Sequence, residues 1–279
     1  MSLSDERHSD AYGRGEAYDT IRRRAPEVVE AIGNLQQIRS VEISYAKMLL
    51  SASDFNEEIN QDVAMLRINS PSEAGSEKQA KNELRPVGET AVESLSEFVR
   101  AFYRYGEFSR AIGFPVPEKS AFNVIRVMRN FVEHVKVDIP VFYIPSARKP
   151  SLKKWKWDML VDMVAVLSEL EQVGKLMDKD AMKSLVKSSY NVGGYLNLTS
   201  AIETAIGSAL NDYSESIAPE VDSKSQSIES LINGEIELSQ ENEEVAIIGV
   251  LESQLEQNKE RQLLSNQNIQ STKSWLVPT

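Results

Sequence analysis

Val124-Ile125-Arg126-Val127-Met128-Arg129-Asn130-Phe131-Val132-Glu133-His134-Val135 decides how this chain is read. Advance roughly 100° per residue, and Val124, Ile125, Val127, Met128, Phe131, Val132 and Val135 fall on one broad arc. Arg126, Arg129, Asn130, Glu133 and His134 fall on the other. The pattern predicts an amphipathic helix with one buried and one wet face. Asn130 and His134, four apart, are neighbours on its surface, and Arg129 lies further round beside Glu133. Ser120 is a candidate cap before the helix, and Pro140 stops it after His134.

The pattern stays helical on both sides. Upstream, Val92, Leu95, Phe98, Val99, Phe102, Tyr103 and Phe108 recur at helical steps, and Gly113-Phe114-Pro115-Val116-Pro117 turns the chain. Residues 69–88, with Pro71, Gly75, Pro86 and Gly88, read as a long loop. Before it, Val28, Val29, Ile32, Leu35, Ile38, Val41, Tyr45, Met48 and Leu49 predict a helix begun at Pro26. A second piece runs from Phe55 to Ile68 with Asp54 as its cap. Downstream, the three prolines within residues 139–150 predict an extended segment, an edge strand or a hairpin. A helix follows through Trp157, Leu160, Met163, Val164, Leu167, Leu170 and Val173, with Asp158 and Asp162 facing water on it. Gly193-Gly194 breaks the pattern, and a further helix runs from about Leu196 to Tyr213.

These elements predict an all-α chain in four stretches. Residues 1–25 form a flexible arm and 26–88 an N-terminal helical region. Residues 89–215 form a helical bundle. Residues 216–279 form an acidic tail rich in Gln, Ser and Glu, weakly structured apart from an apolar island at Val245 to Leu251. That island suits docking on a protein partner.

With 279 residues the chain can bury a real core. Its 31 Lys and Arg against 42 Asp and Glu give a net charge of −11. Such a chain is no generic nucleic-acid coat, because neutralising phosphates needs a basic surface; a local basic site stays possible. There is no cysteine, hence no disulfide framework or thiolate metal site, which fits a cytoplasmic protein. Two histidines, His8 and His134, exclude a His-rich metal centre and leave only an all-carboxylate Mg²⁺ site open. No apolar run is long enough for a membrane span, and the N-terminus lacks the apolar stretch of a signal peptide.

The wet face of the 124–135 helix carries the best chemistry. RNA is cleaved without a metal when a base takes the 2′-hydroxyl proton and that oxygen attacks the adjacent phosphate. Histidine suits that base, arginine offers a donor fork to the phosphorane, and asparagine can orient either. One helix supplies one copy of each group, and two helices facing across a two-fold axis would complete a groove. The plainer reading is a solvated helix face with an ordinary Arg129–Glu133 pair.

The run Arg129-Asn130-Phe131-Val132-Glu133-His134 resembles the R-x4-6-H motif of the HEPN superfamily (higher eukaryotes and prokaryotes nucleotide-binding). The longer string from Met128 to Val141 resembles HEPN-like bacterial proteins in which a Pro-hydrophobic pair follows the histidine. The resemblance implies a HEPN-type helical bundle, typically a homodimer. It also implies a metal-independent endoribonuclease of toxin–antitoxin or antiviral defence systems, with no cofactor and with RNA as substrate. Arg129 and His134 would then be catalytic and Asn130 supporting. An antitoxin or other protein partner could hold the tail. The alternatives are a non-enzymatic helical interaction protein, such as a defence-complex scaffold or viral structural protein, and a HEPN-like sensor that binds nucleotide or RNA uncut.

Three further groups are candidates for nucleic acid. Lys153, Lys154 and Lys156 interleave with Trp155 and Trp157, a pattern that can stack and neutralise a single strand. Arg126 adds charge beside the motif. Arg22-Arg23-Arg24, the densest basic cluster, is a solvated helix start or an RNA or phosphate contact, and Tyr103-Arg104-Tyr105 admits the stacking argument more weakly. No phosphate-loop or nucleophile-elbow motif occurs.

Overall fold

The computed structural model describes residues 3–68, 85–114, 119–135, 138–145, 157–175, 191–192 and 195–276. The fold is all-α in class, with a small sheet among the described residues. In chain order the helices are α1 (Leu3–Arg24), α2 (Pro26–Ile68), α3 (Glu89–Ala111), α4 (Lys119–His134), α5 (Met163–Gln172), α6 (Leu198–Asp212), α7 (Ala218–Glu241) and α8 (Val245–Leu276). A π-helical turn, Tyr213–Ile217, joins α6 to α7. The strands β1 (Arg85–Pro86), β2 (Val141–Pro145), β3 (Trp157–Val161), β4 (Asn191–Val192) and β5 (Tyr195–Asn197) form one antiparallel sheet in the order β1-β2-β3-β5-β4. Contacts divide the chain into two compact units, one of Met1–Ile43 with Tyr213–Ser271 and one of Ser44–Asp212 with Thr272–Thr279.

The first unit is held by helices whose inward seams are partly polar. On α8 the buried positions Ile247, Leu251, Asn258, Arg261, Ser265 and Asn268 keep three- and four-residue spacing from Asn258 on. On α7, Val221, Ser225, Ile228, Ile232, Glu235 and Ser239 do the same. The polar members satisfy one another. Arg261 Nη1 reaches both Glu42 oxygens at 3.1 Å, and Arg261 Nε donates to Asn258 Oδ1 at 2.8 Å. Asn258 in turn donates to Ser225 Oγ at 2.7 Å. Arg24, at the end of α1, pairs with Glu235 and Glu244.

In the second unit the core is aromatic. Phe55 of α2 stacks on Phe98 of α3 with centroids 5.9 Å apart, and Phe98, Phe102 and Phe122 continue the cluster into α4. Tyr45 lies 5.2 Å from Tyr105 and its hydroxyl meets Thr272 Oγ1 at 2.6 Å. The start of α3 is tied to α2, because Gly88 N–H donates to Asp62 Oδ2 at 2.7 Å. Its end is a Schellman turn: Gly113 takes φ +85°, Gly113 N–H meets Arg110 O at 3.1 Å and Phe114 N–H meets Ser109 O at 2.9 Å. Helix α4 packs on α3, α5 and α6.

Several expectations change. Residues 3–24, read as a flexible arm, are helical; Ala17 and Ile21, four apart, are buried there. The two pieces expected on either side of residue 54 are one helix. Ser51 Oγ bonds back to Lys47 O at 2.9 Å, so the serine continues the helix, and Asp54 caps nothing. Residues 157–161 are strand, not helix, pairing with β2 from Val141↔Val161 to Pro145↔Trp157. Asp162 is the N-cap of α5, accepting from Val164 N–H at 3.0 Å and Ala165 N–H at 3.1 Å, so Asp158 and Asp162 share no helix face. The extended segment of 139–150 does contain a strand; it pairs antiparallel with the next strand β3, as a hairpin arm would, and lies between β1 and β3 rather than at an edge. The acidic region read as weakly structured holds α7 and α8. Helix α4 starts at Lys119, ahead of Ser120. Most of the loop read at 69–88, and Gly193-Gly194, lie outside the described residues.

Candidate functional site: the wet face of α4

The sequence forms α4 as the wheel predicts. Ala121, Phe122, Val124, Ile125, Val127, Met128, Phe131 and Val135 are buried, while Val132 is half-buried. Burying each large member contributes on the order of 1.5–3 kcal/mol, so the orientation of the helix is firmly set. Arg126, Arg129 and Asn130 are then half-buried at the border, and Glu133 and His134 are exposed.

Arg129 is held from two sides. Its guanidinium carbon lies 5.0 Å from the ring centroid of Tyr103, and its Nη1 donates to Asn130 Oδ1 at 3.3 Å. Tyr103 itself stacks on Phe122, with centroids 5.9 Å apart and planes 16° from parallel. Glu133 does not form its ion pair with Arg129. It takes Arg100 Nε from α3 at 2.7 Å, and that hydrogen bond, with smaller help from the charges of Arg129 and His134, holds its carboxyl below the usual range. The pair is surface-exposed and ties α3 to α4 only loosely.

Arg129 and Glu133 line an open groove of about 630 Å³ between α2, α3 and α4, together with Lys47, Arg100, Tyr103 and Arg104. His134 does not line it. Arg129 and His134 are five helical steps apart, about 140° around the axis and about 7.5 Å along it. Arg129 and Asn130 are thus brought into contact, and His134 ends the helix away from the groove. Among the described residues no hydrogen bond to the His134 imidazole is formed. The other predicted nucleic-acid residues, Lys153, Lys154, Trp155 and Lys156, lie outside the described residues. Lys47 and Arg100 escaped the sequence reading; Arg100 and Arg104, one turn apart on α3, were the available signal for the groove.

Among the described residues, no group of three or more His, Asp or Glu side chains is placed to hold a metal ion. No helix there is long and apolar enough to cross a membrane. Compared with known proteins, the chain matches no family model, no curated protein and no solved structure.

Proposed function

We propose that the chain is a metal-independent endoribonuclease of a defence or toxin system, acting as a homodimer with Arg129 and His134 in a composite site. The observation that carries this reading is the placement of Arg129. Its guanidinium is held over Tyr103 at the rim of a groove lined by four cations and three carboxylates, while His134 stands exposed at the end of the same helix. The resemblance of residues 129–134 to the HEPN motif supplies the defence setting.

In this mechanism the His134 imidazole takes the proton of a ribose 2′-hydroxyl. The 2′-oxygen attacks phosphorus, and Arg129 neutralises the phosphorane. The P–O5′ bond breaks, and the imidazolium of the second copy protonates the departing 5′-oxygen. The products are a 2′,3′-cyclic phosphate and a 5′-hydroxyl, with protons balanced across the two histidines. The angular offset between Arg129 and His134 supports the two-copy arrangement, since one helix does not aim both groups at one phosphate.

The product ends test the reading. RNA treated with the purified chain in EDTA is expected to yield fragments ending in 2′,3′-cyclic phosphate and 5′-hydroxyl. Fragments with 3′-hydroxyl and 5′-phosphate ends, or none at all across a panel of RNAs, refute it. The reading as a helical interaction protein has one observation of its own: Leu231, Leu238, Val245 and Leu263 are exposed on α7 and α8.

A further inference from the structure

The groove beside Arg129 holds more charge than the motif explains. Of the cations that line it, Arg100 is paired with Glu133. Glu107, on the same wall, is paired with Arg110 outside it at 3.0 Å. That leaves Lys47 of α2, Arg104 of α3 and Arg129 of α4, none of them in an ion pair among the described residues, against the single carboxylate of Glu97. Lys47 and Arg104 are exposed, and Arg129 is half-buried. In a chain with a net charge of −11, three such cations on three helices around one groove make a local reversal of sign.

We infer that Lys47, Arg104 and Arg129 form a track for the phosphodiester backbone of single-stranded RNA. The inference rests on the endoribonuclease reading and extends it to residues outside the motif. Two features favour a strand over a small phosphate. The cations are dispersed over three helices, and none sits at a helix N-terminus, where backbone N–H groups would cradle a compact anion. The groove, about 630 Å³ and open, is the size of a ligand site without being closed around one. Tyr103 is already engaged by Phe122 and Arg129, so base stacking on it is not the source of affinity. Recognition through phosphates alone carries no sequence preference.

The experiment uses the full chain carrying His134→Ala, so that bound RNA stays intact, and a fluorescent single-stranded RNA oligonucleotide. Three phosphate contacts predict that log K falls with log salt at a slope of about −2. Adding Lys47→Ala and Arg104→Ala is expected to weaken binding at least tenfold at low salt and to flatten the slope by about 1.4. Both residues are exposed, and circular dichroism melting checks that the variant is folded. An unchanged Kd and slope, or no binding by the parent, overturns the inference. The two readings separate cleanly. Binding lost with Lys47 and Arg104, in a chain that never cuts RNA, supports the track and refutes the nuclease. Cleavage that depends on His134 but ignores the groove substitutions overturns the track and keeps the nuclease.

Discussion

Glu42 is a carboxylate with no exposed surface, and its partner Arg261 is 1% exposed. Burial pushes the Glu42 carboxyl above its ordinary value, against the pull of Arg261, Ser265 and Tyr213. Desolvation therefore outweighs what the partners return. Two outcomes follow. Removing one partner, as in Glu42→Ala, leaves the buried guanidinium with only the half-exposed carboxylate of Asp222, 3.3 Å from its Nη2, and is expected to cost about 3 kcal/mol in urea unfolding. Replacing both, Glu42→Leu with Arg261→Met, is expected to leave stability within about 1 kcal/mol of the parent or to raise it. A double variant as unstable as the single one would show the pair to be strongly favourable. The sign of the pH effect follows from the same shift. A carboxyl raised in the folded state binds its proton more tightly there, so its contribution is full below the ordinary carboxylate range and is lost as pH rises through the raised folded value. The stability of the parent relative to Glu42→Gln should therefore fall as pH rises from about 4.5 towards neutrality, where 4.5 is the ordinary value. A difference that grows with pH contradicts this.

Among the elements, α3 and α4 position the candidate site, and Gly106 sets their distance. A Cβ there would lie 2.2 Å from Phe122 Cε2, inside a buried ring that also supports Tyr103 and, through it, Arg129. Gly106→Ala gains helix propensity yet overpacks this contact, and a net loss of about 1–2 kcal/mol is expected by thermal or urea unfolding. Gly207 of α6 has nothing within 4 Å of the same position. Gly207→Ala should accordingly stabilise, by about 0.5–1 kcal/mol, and equal effects at the two glycines would contradict the packing argument. Helices α3 and α4 were legible in the sequence because their apolar residues keep strict helical spacing, from Leu95 to Phe102 and from Val124 to Phe131. Helix α8 was not legible, for a physical reason. Its seam has the right period, but Asn258, Arg261, Ser265 and Asn268 fill it. A pattern search that counts only apolar residues sees a polar tail. The strand Trp157–Val161 was missed because a short apolar run fits either period, and its β2 partner decides the outcome.

At the scale of the molecule, the first unit joins residues far apart in the chain. Arg24 meets Glu235 and Glu244, and Glu42 meets Arg261. Composition along the sequence carries no trace of such pairings, which depend on which polar groups find each other once the helices are adjacent. The candidate site was partly legible for the opposite reason. Arg129, Asn130 and His134 lie within six residues, and the helical wheel alone sets them off the core. The groove with Lys47 and Arg104 required three helices to come together. In the proposed function, Arg129 and His134, completed by a second copy, cleave RNA. This is tested most directly by incubating wild type and His134→Ala with single-stranded RNA in EDTA and comparing initial rates. Cleavage by the wild type and a loss of about 100-fold or more in the variant are expected. Equal rates, or no cleavage by either chain across several RNAs, would contradict it.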